Sequence, residues 1–511
     1  MARLELIGGA YSARSVIANA QRCLNLYPEK NRVDSPTKFT FYQRPGLRKL
    51  SSPPNPGLGR SVLRASNGDG YAVVGQTVYT LDANFAWTQI GQLQAARTNP
   101  VSLSDNGQQV VLGDGSDIGY SWTLNDPSTF APINDPTGTF TGTVKWDVIL
   151  GYLLWVFPSS QLFGSTLDNE LVFDATYFGS KNGYPDPLVT LLVNRQIIIL
   201  FGEVKSEIWT YSGGALFPFS IQPGAYIEWG CQAPYTVANI GITVFWLATG
   251  TQGTGLILQQ EGYVTSIISN HAISFAISEM LKAGININDA VAYTYTQDGH
   301  IFYVITFVSG NQTWVYDYSV RDPEYAWHQR GWTSPLDGTV NRERAFSAAF
   351  LYNTNVTMDW QNGDLYALDL DYFFDDVKEL AGPVQYTRTF SQVTKGHLSG
   401  RGPKGFQNFL IDIDTGEGVI THKFVADFEC GNGPVGTEGL PASISLRWST
   451  DRGRTWLASV LQSTGNPGEY SAQPKWEPLG YARYPLFELS WSFGGKAALN
   501  GAWFEPQLTT Q

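Results

Sequence analysis

From residue 58 onward apolar and polar positions alternate over short runs, the period of a half-buried β-strand rather than of a helix. Residues 59–65, 71–75, 78–82 and 87–93 read as four strands, with a turn at Asn67-Gly-Asp-Gly70. The same order returns at 101–104, 109–113, 119–124 and 131–133, and a third unit starts near 144 with strands at 145–150 and 152–157. Later units open at 188–193, 235–240, 290–296 and 344–352, each followed by further strands. Meanders of about 40 residues predict propeller blades, because one small sheet cannot bury both of its faces whereas a ring of them can. The count comes to six or seven. A large β-sandwich with coincidental spacing is the competing reading. One amphipathic helical stretch, 271–283, falls in an inter-blade connection.

The ends of the chain read differently. Residues 1–50 alternate weakly and turn irregularly, which predicts an extended arm packed on something else, with a helical turn near 15–21. The proline-rich stretch 51–57 predicts a stiff linker. After residue 376 the period lengthens, with strands expected at 407–413, 418–428, 442–449, 456–461 and 486–493, as in a separate β-sandwich or barrel. The chain thus divides into an arm and linker (1–57), a propeller (58–380) and a C-terminal β-domain (381–511), all-β throughout.

Composition supports this: 14% aromatic residues, 53 Gly and 27 Pro suit short strands and tight turns. No apolar run is long enough to span a membrane, and the N-terminal apolar stretch is too short for a secretory signal. Cys23, Cys231 and Cys430 are too few and too far apart for a disulfide framework and read as reduced, buried thiols of a protein made in the cytoplasm. The net charge of −12 is unevenly placed. Residues 1–50 carry nine Lys and Arg against three Asp and Glu, residues 385–511 carry 11 of each, and residues 51–384 carry 13 basic against 31 acidic side chains. A basic arm suits an acidic partner, and an acidic body does not grip nucleic acid. Simple solubility is the plainer explanation.

Candidate chemistry is sparse. Ser449-Thr-Asp451-Arg-Gly453-Arg-Thr455-Trp456 matches the Asp-box S-x-D-x-G-x-T-W of sialidases and other propellers, a hairpin in which Asp bonds turn amides and Trp packs beneath. Those roles are structural, and the box occurs once, outside the propeller. His271, His300, His328, His397 and His422 are scattered without metal-ligand spacing, and no nucleophile elbow or phosphate loop appears. Asp412, Asp414 and Glu417, like the acidic run 369–376, lack EF-hand spacing and read as solvated strand ends. No catalytic residue, metal or cofactor is expected.

The order of several pieces carries a resemblance. The arm reads Gly8-Gly-Ala-Tyr11, then Asn19-Ala-Gln-Arg22-Cys-Leu-Asn25-Leu-Tyr27-Pro-Glu29, then Arg44-Pro-Gly-Leu47. Glu207-Ile-Trp-Thr-Tyr-Ser-Gly213, Gly230-Cys-Gln-Ala-Pro-Tyr235 and Val244-Phe-Trp-Leu-Ala-Thr-Gly250 follow, and the chain closes on 445–451 and Trp476-Glu-Pro-Leu-Gly-Tyr-Ala-Arg483. In order and spacing this resembles the packaged-DNA stabilisation proteins, the tail hub or nozzle proteins of short-tailed bacteriophages. The resemblance implies a homohexameric ring in the virion tail that closes the channel after packaging, retains the genome and later forms part of its exit. Implied partners are the head-to-tail adaptor, tail needle or fibre and tailspike proteins, with double-stranded DNA passing without sequence-specific binding. Asn19, Arg22, Asn25, Tyr27 and Arg44 are the candidate adaptor or subunit contacts. A carbohydrate-binding or glycan-cleaving propeller, sialidase-like, is the alternative that the Asp-box and the many Trp and Tyr keep open.

Overall fold

The computed structural model describes residues 2–4, 6, 9–12, 20–166, 171–214, 217–251, 253–334, 339–377, 382–383, 386–391, 419–432, 442–451, 453–482 and 485–508. The expected helical turn near 15–21 falls largely outside these residues, and the strand at 407–413 wholly so.

Among the described residues seven sheets ring a common axis, which makes seven blades. Blade 1 comprises Gly59–Arg64, Gly70–Val74, Thr77–Leu81 and Trp87–Gln92, counted outward from the axis, and blades 2 to 4 repeat the plan from Ser102, Trp146 and Leu188. In blade 5, Gly230–Cys231 and Ala238–Ile240 share the inner edge of Thr243–Gly250, with Gly253–Glu261 and Val264–Ile267 beyond. Blade 6 runs from Val291–Gln297 through His300–Phe307 and Gln312–Asp317 to Trp327–Arg330. The helix His271–Lys282 connects blades 5 and 6, as its amphipathic pattern predicted; Asn270 caps it by accepting from the Ile273 amide at 3.0 Å.

The pattern within a blade has a physical cause. Second strands such as Gly70–Val74 and Ile197–Gly202 are apolar almost without interruption because neighbouring blades cover both of their faces. Outer strands such as Asp126–Pro132 face solvent and read as polar. The outer strands Phe178–Ser180 and Phe219–Ile227 escaped the sequence reading, the latter because Pro223 and Gly224 interrupt its alternation.

Blade 7 is different. The chain supplies Ala345–Leu351, Thr354–Asp359 and Leu365–Asp369, and the fourth strand is Gly46–Ser51 from the arm, antiparallel to Leu365–Asp369. Ala345–Leu351 then packs against Gly59–Arg64 and closes the ring. The ring is therefore latched by a strand that precedes it in sequence.

Two further arm segments tie the C-terminal strands to the propeller. Ala20–Leu24 pairs antiparallel with Tyr386–Ser391 and meets the outer strand of blade 6 at a parallel bridge, Leu24 opposite Gln329. The sheet of blade 6 thereby continues through 386–391 into Leu486–Trp491, Ser443–Ser449 and Val460–Ser463. The hairpin Leu26–Lys30/Phe39–Gln43 joins a second sheet with Ala498–Leu508, Val419–Phe428, Lys475–Trp476 and Gly480–Ala482. One continuous core unites these strands with blades 5 and 6; Cys23, Phe41, Phe424, Leu489 and Trp491 belong to the same apolar cluster as Phe245, Ile273, Tyr303 and Trp327. All three cysteines are buried thiols outside any disulfide.

Candidate functional site: the arm clasp and the propeller axis

The basic arm docks on carboxylates of its own chain. Asn25 sits in the left-handed region (φ 59°), which Asn tolerates better than most residues. Its side chain donates to the Gly331 carbonyl at 2.8 Å and accepts from the Gly331 amide at 3.0 Å. The Nε of Arg44 donates to the same Asn25 Oδ1 at 3.0 Å, and its Nη1 and Nη2 reach both oxygens of Asp375 at 3.2 and 2.6 Å. Arg44 is 2% exposed and Asp375 7%, so this is a buried, bidentate ion pair. Next along the strand, Arg48 Nε lies 2.8 Å from Asp369 and Lys49 Nζ 2.8 Å from Asp364, while the Lys49 amide donates to Asp376. Within the acidic run 369–376, Asp369, Asp375 and Asp376 therefore accept hydrogen bonds from the arm. Among the described residues no group of three or more His, Cys, Asp or Glu is placed to hold a metal ion, and residues 412, 414 and 417 lie outside them.

The arm hairpin makes a second contact, with blade 6. Tyr27 is buried with its ring 5.0 Å from His300 and 5.5 Å from Phe302, and burial, then nearby Tyr295, Asp298 and Glu29, pushes its hydroxyl pKa up. His300 Nδ1 lies 2.7 Å from Asp317, and its Nε2 lies 3.6 Å from Glu29 of the arm. Burial alone would lower the His300 pKa, but these two carboxylates together raise it. Arg22 is half-buried and, with Arg330, Asn311 and Asn341, lines a cleft of about 130 Å³ beside blade 6. Burial lowers its pKa against the pull of Glu488. Asn19 lies outside the described residues. The structure thus gathers Asn25, Tyr27 and Arg44 into one intramolecular seam, where all three side chains are buried.

Behind the seam lie charged residues that no sequence motif marked. Arg330, 1% exposed, rests with its guanidinium carbon 5.0 Å from the Phe302 ring centre and 5.4 Å from that of Tyr295. Arg344 bonds Asp359 at 2.9 Å, and Arg342 lies 3.8 Å over the Trp360 ring. The run Arg342-Glu-Arg344 was the available signal, but charge runs ordinarily read as solvated surface.

The Asp-box residues form a hairpin turn beside Ser443–Ser449. Asp451 accepts from the Thr455 amide at 2.8 Å and the Thr455 hydroxyl at 2.6 Å, and Ser449 donates to it at 2.8 Å. Those bonds, the Thr455 hydroxyl foremost, hold its pKa down to about 2. Gly453 takes φ 83° and donates to Ser449 Oγ at 2.7 Å. Trp456 is half-buried beneath the Arg447 guanidinium, 4.8 Å from ring centre to Cζ, and Arg447 in turn bonds Glu488 at 2.6 Å.

Inner strands and their flanks enclose a cavity of about 180 Å³ at the propeller axis, with Arg60, Ser61, Lys145, Tyr235 and Ser347 among its lining residues. At about 30 Å³ per water, that is room for roughly six waters.

A seven-bladed propeller latched by its own N-terminal strand and continued into a C-terminal pair of sheets is a β-propeller protein. The chain belongs to the phage stabilisation family described as Bacteriophage P22 Gp10, beta-propeller, whose model matches residues 2–372. No curated protein sequence is significantly similar to it. Among solved structures, a chain of a mitotic checkpoint complex aligns at 11% identity and TM-score 0.39, covering 64% of this chain and 94% of that one. A computationally designed protein, Ika8, aligns at 11% identity and TM-score 0.36, covering 68% and 100%. At such scores neither bears on function.

Proposed function

We propose that the protein is a structural component of the virion tail of a short-tailed phage, a hub or nozzle subunit that retains packaged DNA and forms part of the ejection conduit. The observation that carries this reading is the family match across residues 2–372, which takes in the arm and almost the whole propeller. Several features are compatible with it. A conduit built from this chain is read as lying between subunits, as a homohexameric ring provides. The excess of acidic side chains over residues 51–384 keeps such a wall from gripping phosphates, since that binding needs Lys and Arg. Residues 1–57, 58–380 and 381–511 are read as arm, propeller and C-terminal domain of one subunit, with the arm serving to weld the other two. Adaptor, needle, fibre or tailspike proteins are the partners this role requires.

The test is cryo-electron microscopy of the purified protein alone and with portal–adaptor complexes, alongside DNA retention in heads assembled without it. Rings on the adaptor and leaking heads are expected. A strict monomer that ignores the adaptor, with heads that keep their DNA, would overturn the reading.

A further inference from the structure

A strand at the open edge of a sheet offers unpaired backbone groups to any other strand, and proteins blunt such edges with proline, charge, bulges, short length or a covering segment. The outer strands of this chain carry these devices almost throughout. Trp87–Gln92 slips register between Gln89 and Gly91, Asp126–Pro132 contains an aspartate and two prolines, and Phe219–Ile227 is interrupted by Pro223-Gly224. Phe178–Ser180 is only three residues long. Trp327–Arg330 is covered by Ala20–Leu24, and Leu365–Asp369 by Gly46–Ser51. Among the described outer strands of the blades and of the sheet that continues from blade 6, two lack every such device. Val264–Ile267 ends blade 5, and Val460–Ser463 ends the sheet that continues from blade 6. Each has four residues without charge or proline.

Both edges present apolar side chains to solvent. Val264 is 71% exposed, with Tyr263 and Ile267 exposed beside it; Leu461 is 65% exposed, with Leu457 and Val460 exposed beside it. Among the described residues the backbone of Val264–Ile267 makes no hydrogen bond outside its ladder with Gly253–Glu261. At the second edge the Val460 carbonyl accepts from Trp476 Nε1 at 2.7 Å, and the backbone of Leu461–Ser463 is bonded only within its ladder with Ser443–Ser449. Such an edge accepts an added strand, with main-chain hydrogen bonds for affinity and alternate side chains for fit. Charge selects the strand. Residues 51–384 hold 13 basic and 31 acidic side chains, so pairing Val264–Ile267 with itself would set two strongly acidic bodies against each other. Residues 385–511 hold 11 of each, and their open edge meets the propeller without that repulsion. Two different patches on one chain also make a head-to-tail contact, the kind that can close into a ring. We propose that Val264–Ile267 of one subunit pairs with Val460–Ser463 of the next, so that blade 5 continues into the C-terminal sheet of a second copy of this chain. This pairing, which rests on the tail-ring reading, supplies the two surfaces that build the ring.

The experiment is mass photometry of the purified full chain, alone and on portal–adaptor complexes, with variants at each edge. Val264→Lys and Leu461→Lys each place a charge on one exposed edge; they are expected to keep the wild-type Tm and to lower the ring population at least about tenfold. Mixed in equal amounts, the two variants retain between them one intact edge of each kind, so they are expected to stop at pairs of subunits. Ile267→Lys and Leu457→Lys repeat the test should either first variant unfold. A folded variant that forms rings as the wild type does would overturn the pairing and leave the ring reading intact, as would a mixture that never pairs or that closes rings. A wild-type chain that forms no ring in either setting would overturn both.

Discussion

Blades 1 to 4 and blades 6 and 7 use the same strand–turn–strand unit but complete it differently. Each of the first four sheets is a contiguous stretch of chain, joined by local turns and holding four strands. Blade 7 lacks its fourth strand until Gly46–Ser51 arrives from about 300 residues upstream, and the outer edge of blade 6 is extended by Ala20–Leu24 and then by C-terminal strands. The comparison teaches where the ring is vulnerable. Local blades need only their own hydrophobic pattern, whereas blades 6 and 7 depend on a clasp whose specificity comes from buried polar groups. Long-range closure also costs more chain entropy, so the clasp is expected to form late in folding.

Asp375→Ala gives the largest expected effect. It leaves Arg44 charged and buried without its carboxylate, a loss of about 3–5 kcal/mol, read by denaturant unfolding. Hydrogen exchange should then rise in 345–369 before 102–227; uniform exposure of all blades would break the distinction. The double variant Arg44→Met/Asp375→Leu is expected to recover much of the loss, because the uncompensated charge is gone. Gly46→Ala comes next, since a methyl there would run into the carbonyl oxygens of Tyr372 and Phe374; about 1–3 kcal/mol is expected, with a matched alanine at Gly57, where a methyl meets nothing closer than 3.5 Å, as the milder reference.

A smaller effect is pH-dependent. The His300 pKa is raised in the folded protein, so the stability it adds is full below the unfolded histidine value and fades as pH rises through the folded one. Wild-type and His300→Gln stabilities should therefore converge towards alkaline pH and diverge at mildly acidic pH; parallel curves would remove His300 from the clasp. The smallest effect is expected at the Asp-box turn on the surface. Asp451, with its pKa near 2, adds stability above the unfolded carboxylate range, lost as pH falls through about 2. Asp451→Ala should lower Tm slightly at neutral pH and leave exchange in the blades unchanged.

Much of this contrast was legible in the sequence, and its limits are instructive. Strands of blades 1, 2 and 6 and the helix 271–282 follow from alternation, apolar runs and turn residues, because each is stabilised mainly by neighbours close in sequence. Pro28 made the arm look irregular, yet it sits in Leu26–Lys30 at the edge of a sheet, where a missing amide donor is tolerated. The opposite charges of the arm and of 364–376 were visible, but nothing in a linear text says that they meet. Asn25, Tyr27 and Arg44 stood out as a pattern; their place as the rivets of one seam did not.

By itself the sequence determined the all-β character, the repeating blades and the basic and acidic segments, since these rest on periodicity and composition. Only the tertiary structure decided that there are seven blades, that the ring closes on a strand from the arm, and that the axis holds a small space lined by two cations. Those features arise from pairings across hundreds of residues. Backbone hydrogen bonding accepts almost any strand as a partner, so the choice falls to the buried side chains that fit in only one arrangement.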